Sequence, residues 1–276
     1  MPTQSNASPR AQLAITSLNA DSAWILEVDG ARLLLDPWLG GAAVVLVPPI
    51  HRLYLSTPVV APSDLPAVDA IVISHPFPDH CHPATLRSFP RDVPVYAPAA
   101  VRPWVWRLRH FEKVHVIGNR TRGAAATTAG NVDLSWCRAR GALDTVHNGL
   151  VFRGRSSGTS ILYAPHAMLL DGPTIGATDA AIGDRLDVLL CSFNLVDLPG
   201  YVGGVANLGP EAAFGLVRRY KPRYVSRTHD STKKDSGLLA RVTRIEPPPD
   251  FDGSLAALGV PTEAFALGTG QTWQPS

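Results

Sequence analysis

Short apolar runs broken by polar turns set the pattern of the chain. The first three, QLAITSL, AWILEV and ARLLLD, crowd branched and aromatic residues into strand-length segments. Asp29-Gly30 between the second and third is a hairpin-turn signal. Together they predict a β-meander ending at DPWLGG. Residues 1–10 carry no such pattern and are expected to form a disordered leader. They also lack the apolar core of a signal peptide.

Further on, DAIVIS is continuously apolar, as a strand buried on both faces must be. Pro83 suits the first turn of a helix. VPVYAP reads as a strand, 99–111 as a helix and KVHVIG as the next strand. In the second half NVDLSWC, GLVFRG, TSILYAP and DVLLCSF read as strands. A Gly-rich loop covers 199–209 and suggests a hinged lid. Pro210 opens a helix to about Tyr220, and RYVSRTHD follows as a strand. The tail mixes Pro-rich coil with short helices. Strands, strand–helix alternation, strands and alternation again predict an α/β fold. A four-layer αββα sandwich of two mixed β-sheets accommodates that order, and a three-layer α/β fold stays open.

Composition narrows the partners. The 276 residues are 45% apolar and 17% charged, enough for a substantial core. A net charge of +2 lacks the basic footprint of a nucleic-acid binder. No run reaches the roughly 20 apolar residues of a membrane span. Three isolated cysteines, Cys81, Cys137 and Cys191, argue for a reducing compartment. The expectation is a cytoplasmic protein acting on a small molecule, without nucleic acid or membrane, with homo-oligomer formation open.

The chemistry concentrates in VISHPFPDHCHP, which places His75, Asp79, His80 and His82 at the C-terminal end of a strand. In α/β sheets the loops there converge on a crevice. Adjacent Asp79 and His80 can be aimed at one point by a tight turn, and His75 approaches from the strand exit. Imidazole and carboxylate suit zinc, iron or manganese. Such an ion acidifies water to near neutrality and so supplies a nucleophile. His82 reads better as a residue of the helix start, facing solvent or capping the loop, and Cys81 as a candidate thiol nucleophile or ligand. Asp36 in DPW is read equally as the orienter of a ligand histidine or as a turn opener. No G-x-S-x-G elbow and no P-loop is present.

These residues resemble a family. The strand ending at Ser74 and opening into His75-x-Phe77-x-Asp79-His80 is similar to the HxHxDH signature of the metallo-β-lactamase superfamily. LLLDPWLG, GLVFRGRSSGTSILYAPH, DVLLCSF and YVSRTHD resemble that family's other strands, over roughly 13–230. The layout looks most like the lactonase-like branch. The resemblance implies a single metallo-β-lactamase-like domain over 11–276. It implies His75, and His147 as a further candidate, for a first metal position, where Phe77 replaces a ligand. It implies Asp79, His80 and His229 for a second, with His166 standing where a bridging Asp is usual, and it makes Cys81 a spacer. Both departures favour one divalent metal, zinc first and iron or manganese next, held by Asp79, His80, His166 and His229. His75 is then a fifth ligand or proton carrier, and Asp79 and His75 are the catalytic candidates.

The implied activity is metal-dependent hydrolysis of a small ester, lactone or phosphoester. Arg227, Lys233 and Lys234 around His229 hint at an anionic substrate, or form a solvated basic loop. Trp38 and Phe77 are candidate substrate-binding walls, or packing residues. Two alternatives remain: an iron-dependent oxidoreductase or lyase on the same scaffold, and a non-catalytic protein with a decayed site.

Overall fold

The computed structural model describes residues 12–45, 47–139, 146–247 and 250–275. The expected leader, 1–10, lies outside them. Among the described residues no helix is long and apolar enough to cross a membrane.

Two seven-stranded sheets carry the fold. The first runs, in spatial order, Thr272–Trp273, Leu13–Ser17, Trp24–Val28, Ala31–Leu35, Ala70–Val72, Val95–Pro98 and Val114–Ile117. Its meander strands are antiparallel, and the last three run parallel to Ala31–Leu35. The second runs Glu263–Ala264, Tyr224–Arg227, Val188–Cys191, Ser160–Ala164, Asn148–Gly154, Val132–Arg138 and Thr127–Ala129. It too is mixed, with the switch at Ser160–Ala164.

Alternation along the strands builds three apolar layers. Leu26, Leu33, Leu35 and Val72 meet Leu150, Phe152 and Tyr163 between the sheets. On the outer face of the first sheet Ile25, Leu34 and Ile71 pack with Leu86, Val101 and Val105 of the helical segments. On the outer face of the second, Leu162, Leu189 and Val225 pack with Ile182, Phe214 and Val217. Each such buried side chain stabilises the fold by roughly 1.5–3 kcal/mol. The result is the four-layer αββα sandwich, so the three-layer alternative falls.

Several local readings change. The helix expected over 99–111 is only Arg102–Arg107, and Arg109 sits in the left-handed region (φ 49°), which stops it. An unpredicted helix, Gly172–Ile182, is started by Asp171, whose carboxylate accepts the Thr174 N–H at 2.7 Å. The Gly-rich segment is not a bare loop. Leu195–Asp197 and Val205–Leu208 pair as an antiparallel hairpin, and Gly203 (φ 133°) and Gly204 (φ 72°) supply its turn. With Arg244–Glu246 this hairpin makes a three-stranded sheet. A second small sheet joins Lys233–Ser236, His51–Leu55 and Ala43–Val45. The two small sheets flank the mouth of the site.

Candidate metal centre

The site forms where the central strands of both large sheets end. After Ala70–Val72 the chain turns, and the Phe77 carbonyl accepts the N–H groups of His80 (2.9 Å) and Cys81 (2.7 Å). This turn carries Asp79 and His80 side by side into the crevice. His75 and His80 are fully buried, and Asp79, His166 and His229 nearly so. His166 follows Ser160–Ala164, and His229 follows Tyr224–Arg227. His229 adopts φ 61°, a left-handed conformation uncommon for histidine. Its N–H is tied to the Asp21 carbonyl at 3.0 Å, which holds the strained turn.

Three distant segments thus converge. His229 Nε2 lies 3.1 Å from Asp79 Oδ2, and His80 Nε2 lies 3.1 Å from His166 Nε2. Ligand-capable atoms of His75, His80 and His166 all lie within 4.8 Å of one another, and so do those of Asp79, His80 and His229. The expected residues thus fall into two triples: His166 groups with His75 and His80, while Asp79 and His229 group with His80. His80 belongs to both triples.

The hydrogen-bond network fixes which nitrogens carry lone pairs. Asp36 Oδ2 can only accept, so His80 Nδ1, 2.8 Å away, carries the proton and donates it. Asn207 donates its Nδ2 to Ser192 Oγ, so its Oδ1 accepts the Nδ1 proton of His166 at 2.7 Å. His75 is held at both ends, with Nδ1 2.7 Å from Ser74 Oγ and Nε2 2.7 Å from the Val146 carbonyl. As neutral rings, His80 and His166 then each have a bare Nε2. For His80 and His166 two bare nitrogens face each other at 3.1 Å, a repulsive arrangement unless something positive lies between them. Imidazole ligands at about 2.0–2.1 Å from a tetrahedral ion stand roughly 3.3–3.4 Å apart. The observed spacings are near that edge length, and the outer nitrogens of His80 and His166 are already held as ligand histidines require, whereas His229 Nδ1 is buried without a hydrogen-bond partner. The donor set fits a divalent cation.

Electrostatics agree. Burial pushes His75 down to about 3, with the charge of His80 adding to it. Burial also depresses His166, helped by the neighbouring imidazoles, and His229, helped by Lys233. His80 moves the other way: burial would lower it, but Asp36 and Asp79 outweigh burial and raise it. Burial likewise opposes ionisation of Asp79, yet His80 and His229 hold its carboxyl well below the usual range.

This sets a stability prediction for the metal-free protein. His75, His166 and His229 are neutral when folded but charge near pH 6.5 when unfolded. The unfolded chain therefore binds more protons below that pH. Stability is complete above about pH 6.5 and falls on acidification, by up to about 1.4 kcal/mol per pH unit for each of these residues. His80 contributes with opposite sign, its share being lost as pH rises through its raised value. Urea unfolding of chelator-treated protein between pH 7 and 5 measures the net slope; a flat profile would contradict the assignment.

Other predicted residues lie elsewhere. His147 joins neither triple, and its Nε2 meets the Ala206 carbonyl at 3.2 Å. Trp38 is fully buried, bonds through Nε1 to the Gly41 carbonyl and does not line the cavity above the site, so its placement as a substrate wall is corrected to packing. Phe77 does line that cavity, stacks near His75 (centroids 6.4 Å apart, 13° between planes) and sets its edge toward His166. Lys233 also lines it, with Nζ 2.7 Å from Asp21 Oδ1. Arg227 pairs with Asp230 at 3.1 Å, so both cations already hold carboxylates. His82 caps the helix Pro83–Leu86 through Thr85. Burial pushes the Cys81 thiol up to about 12, consistent with a spacer.

The reading from sequence missed several orienting residues. Asn207 and Asn148 position His166 and His75, and Tyr163 donates to Asp36 Oδ2 at 2.9 Å. Tyr163 was within reach, because strand alternation puts it on the inner face with Leu150 and Phe152. Asn207 gave no signal inside a Gly-rich segment.

Comparison with known proteins decides the family. Residues 14–229 match the family described as "Beta-lactamase superfamily domain". The chain belongs to this superfamily. A search of the curated proteins finds no match. Solved structures share the metallo-β-lactamase fold at low identity. A possible metal-dependent hydrolase from Veillonella parvula DSM 2008 aligns with TM-score 0.68 and 13% identity, over 95% of this chain and 98% of that one. The isothiocyanate hydrolase from Delia radicum gut bacteria aligns with TM-score 0.62 and 16% identity, over 95% and 98%. CmlA, a diiron β-hydroxylase from Streptomyces venezuelae, aligns with TM-score 0.64 and 13% identity, over 98% of this chain but 55% of that one. The superfamily scaffold thus carries both hydrolase and diiron chemistry among these neighbours.

Proposed function

We propose that the protein is a metal-dependent hydrolase of the β-lactamase superfamily, lactonase-like in layout. Its substrate class is a small ester, lactone or phosphoester. The carrying observation is the pair of bare imidazole nitrogens facing each other beside the Asp79–His229 pair. One ion, held by Asp79, His80, His166 and His229, fits this reading. Zinc suits three imidazoles and a carboxylate, and iron or manganese suit them too. When bound, the ion supplies Lewis acidity toward the scissile oxygen and acidifies water.

The chain's own residues do the rest. Asp79 brings a full negative charge, and its Oδ2 also holds His229. Asp36, Ser74 and Asn207 lock the outer nitrogens of His80, His75 and His166, so the rings need no reorganisation during reaction. His75 enters as a neutral ring, held at Nδ1 by Ser74 and at Nε2 by the Val146 carbonyl, and so lines the site in a fixed orientation. Phe77 excludes water from one side. A small-molecule substrate, a cytoplasmic setting and a single working unit over 11–276 belong to the same proposal.

A second reading rests on the His75, His80 and His166 triple. Three imidazoles also suit iron, and an iron oxidoreductase or lyase would use them. Elemental analysis of the purified protein separates these readings. One equivalent of zinc per chain, reduced at least tenfold in Asp79→Ala and His229→Ala, is expected, together with ester or lactone turnover that chelation removes. Iron with no turnover of either would favour the second reading. Metal content unchanged in both variants, or absent from the start, would end the proposal and favour a decayed site.

A further inference from the structure

Above the site lies a cavity of about 1240 Å³, larger than the roughly 300–1,000 Å³ usual for small-ligand pockets. Asp79, His166, His229 and Phe77 form its floor. Its walls are the two small sheets. Val196, Val205 and Ile245 line one side, and Val45, Leu53 and Leu238 the other. Several of these stay open to solvent, with Val205 38%, Ile245 56% and Leu238 58% exposed. An apolar lining that is left wet costs free energy, and it marks a surface that something apolar covers.

The polar groups constrain what that is. Lys233 is held by buried Asp21, and Arg227 by Asp230. Arg241 stands only at the exposed rim. The lining therefore offers no unpaired lysine or arginine beside the floor to hold a charged tail, and the apolar walls dominate what lies above it.

We infer that the substrate carries an extended apolar chain, which lies between the two small sheets while its ester or lactone head meets Asp79, His166 and His229. This inference rests on the hydrolase reading for the head group but not for the chain. Phe77 extends the apolar wall down to the reacting centre, which gives its place beside the histidines a positive use. Specificity then follows chain length rather than charge.

The test is calorimetric binding of the 1-alkanols from butanol to octanol to the protein as purified. Affinity is expected to rise about fourfold per methylene, roughly 250-fold across the series. Ile245→Asp and Val205→Asp, on exposed wall positions, are expected to weaken octanol binding at least tenfold. Metal content and far-ultraviolet circular dichroism should be unchanged in both. Affinity that is absent or flat with chain length, or unaffected by both substitutions, would overturn the inference. So would sedimentation showing a dimer that Ile245→Asp dissociates while the alkanol series stays flat, since a second copy would then cover the walls. Length-dependent binding without ester turnover would instead remove the hydrolase reading and leave the apolar chain standing. Short-chain ester turnover with a flat alkanol series would do the reverse.

Discussion

His80→Ala is expected to lose the bound ion and to hydrolyse ester substrates at least about 10³-fold more slowly than the unaltered protein. His80 is the one ligand candidate common to both triples of converging groups. Its ring lies 5.0 Å from His75, 5.1 Å from His166 and 4.8 Å from His229, centre to centre. Removing it opens the middle of the cage and also leaves Asp36 without the imidazole it orients. A catalytic ion contributes several kcal/mol to the transition state, and about 4 kcal/mol corresponds to that rate loss. The measurement is kcat/KM beside elemental analysis. A variant that keeps both its ion and its rate would refute the site.

Asp36→Ala is expected to lower the unfolding free energy by about 3–5 kcal/mol, because it strips a buried network of its central acceptor. Asp36 is fully buried in the left-handed region (φ 44°) at the end of Ala31–Leu35. Its carboxylate takes the Ser74 N–H (2.7 Å), the Ser74 hydroxyl, the His80 Nδ1–H (2.8 Å) and the Tyr163 hydroxyl (2.9 Å). In the variant all four donors stay buried without that partner. Asp36→Asn keeps the volume but sets an amide among donors, and should weaken metal binding about 10- to 100-fold. Urea unfolding with an unchanged m-value, and metal titration of the Asn variant, read the two effects. Stability within about 1 kcal/mol of the parent would show that the network is not needed, since a single lost hydrogen bond already costs about that much.

The frame of the fold was legible because its strands carry strong local signals. LAITS, WILEV and ARLLL are apolar, branched and bounded by Asp-Gly or by polar turns, and each is a strand within a residue or so of the prediction. Gly172–Ile182 was not legible. Its Gly, Ala and Thr residues sort onto no single face, and Thr174 and Thr178 are buried with Ala181 and Ile182. Packing against the second sheet, rather than patterning, makes it helical. The small sheets escaped notice for a related reason. Val205–Leu208 and Lys233–Ser236 are short and partly exposed, so tertiary pairing and not sequence decides them.

The site divides in the same way. His75, Asp79 and His80 were legible because they are close in sequence and the turn is local. His166 and His229 needed the family resemblance, and they do converge with the others. His147 shares their residue type but not their place, since the Ala206 carbonyl takes its Nε2. Neighbouring Asp230 offered a structural partner for His229, yet it turns to the Phe193 and Asn194 N–H groups instead. Side-chain direction at a strand end depends on the next element to pack there, which no local pattern records.

The bond between Tyr163 and Asp36 spans 127 positions, and that between His229 and Asp79 spans 150. Each stitches the N-terminal sheet to the C-terminal one. A nascent chain leaving the ribosome therefore holds no complete cage until residue 229 has emerged and the two halves have docked. The groups that converge here come from the first third and the second half of the chain, and none of these pairs is assembled by local folding alone.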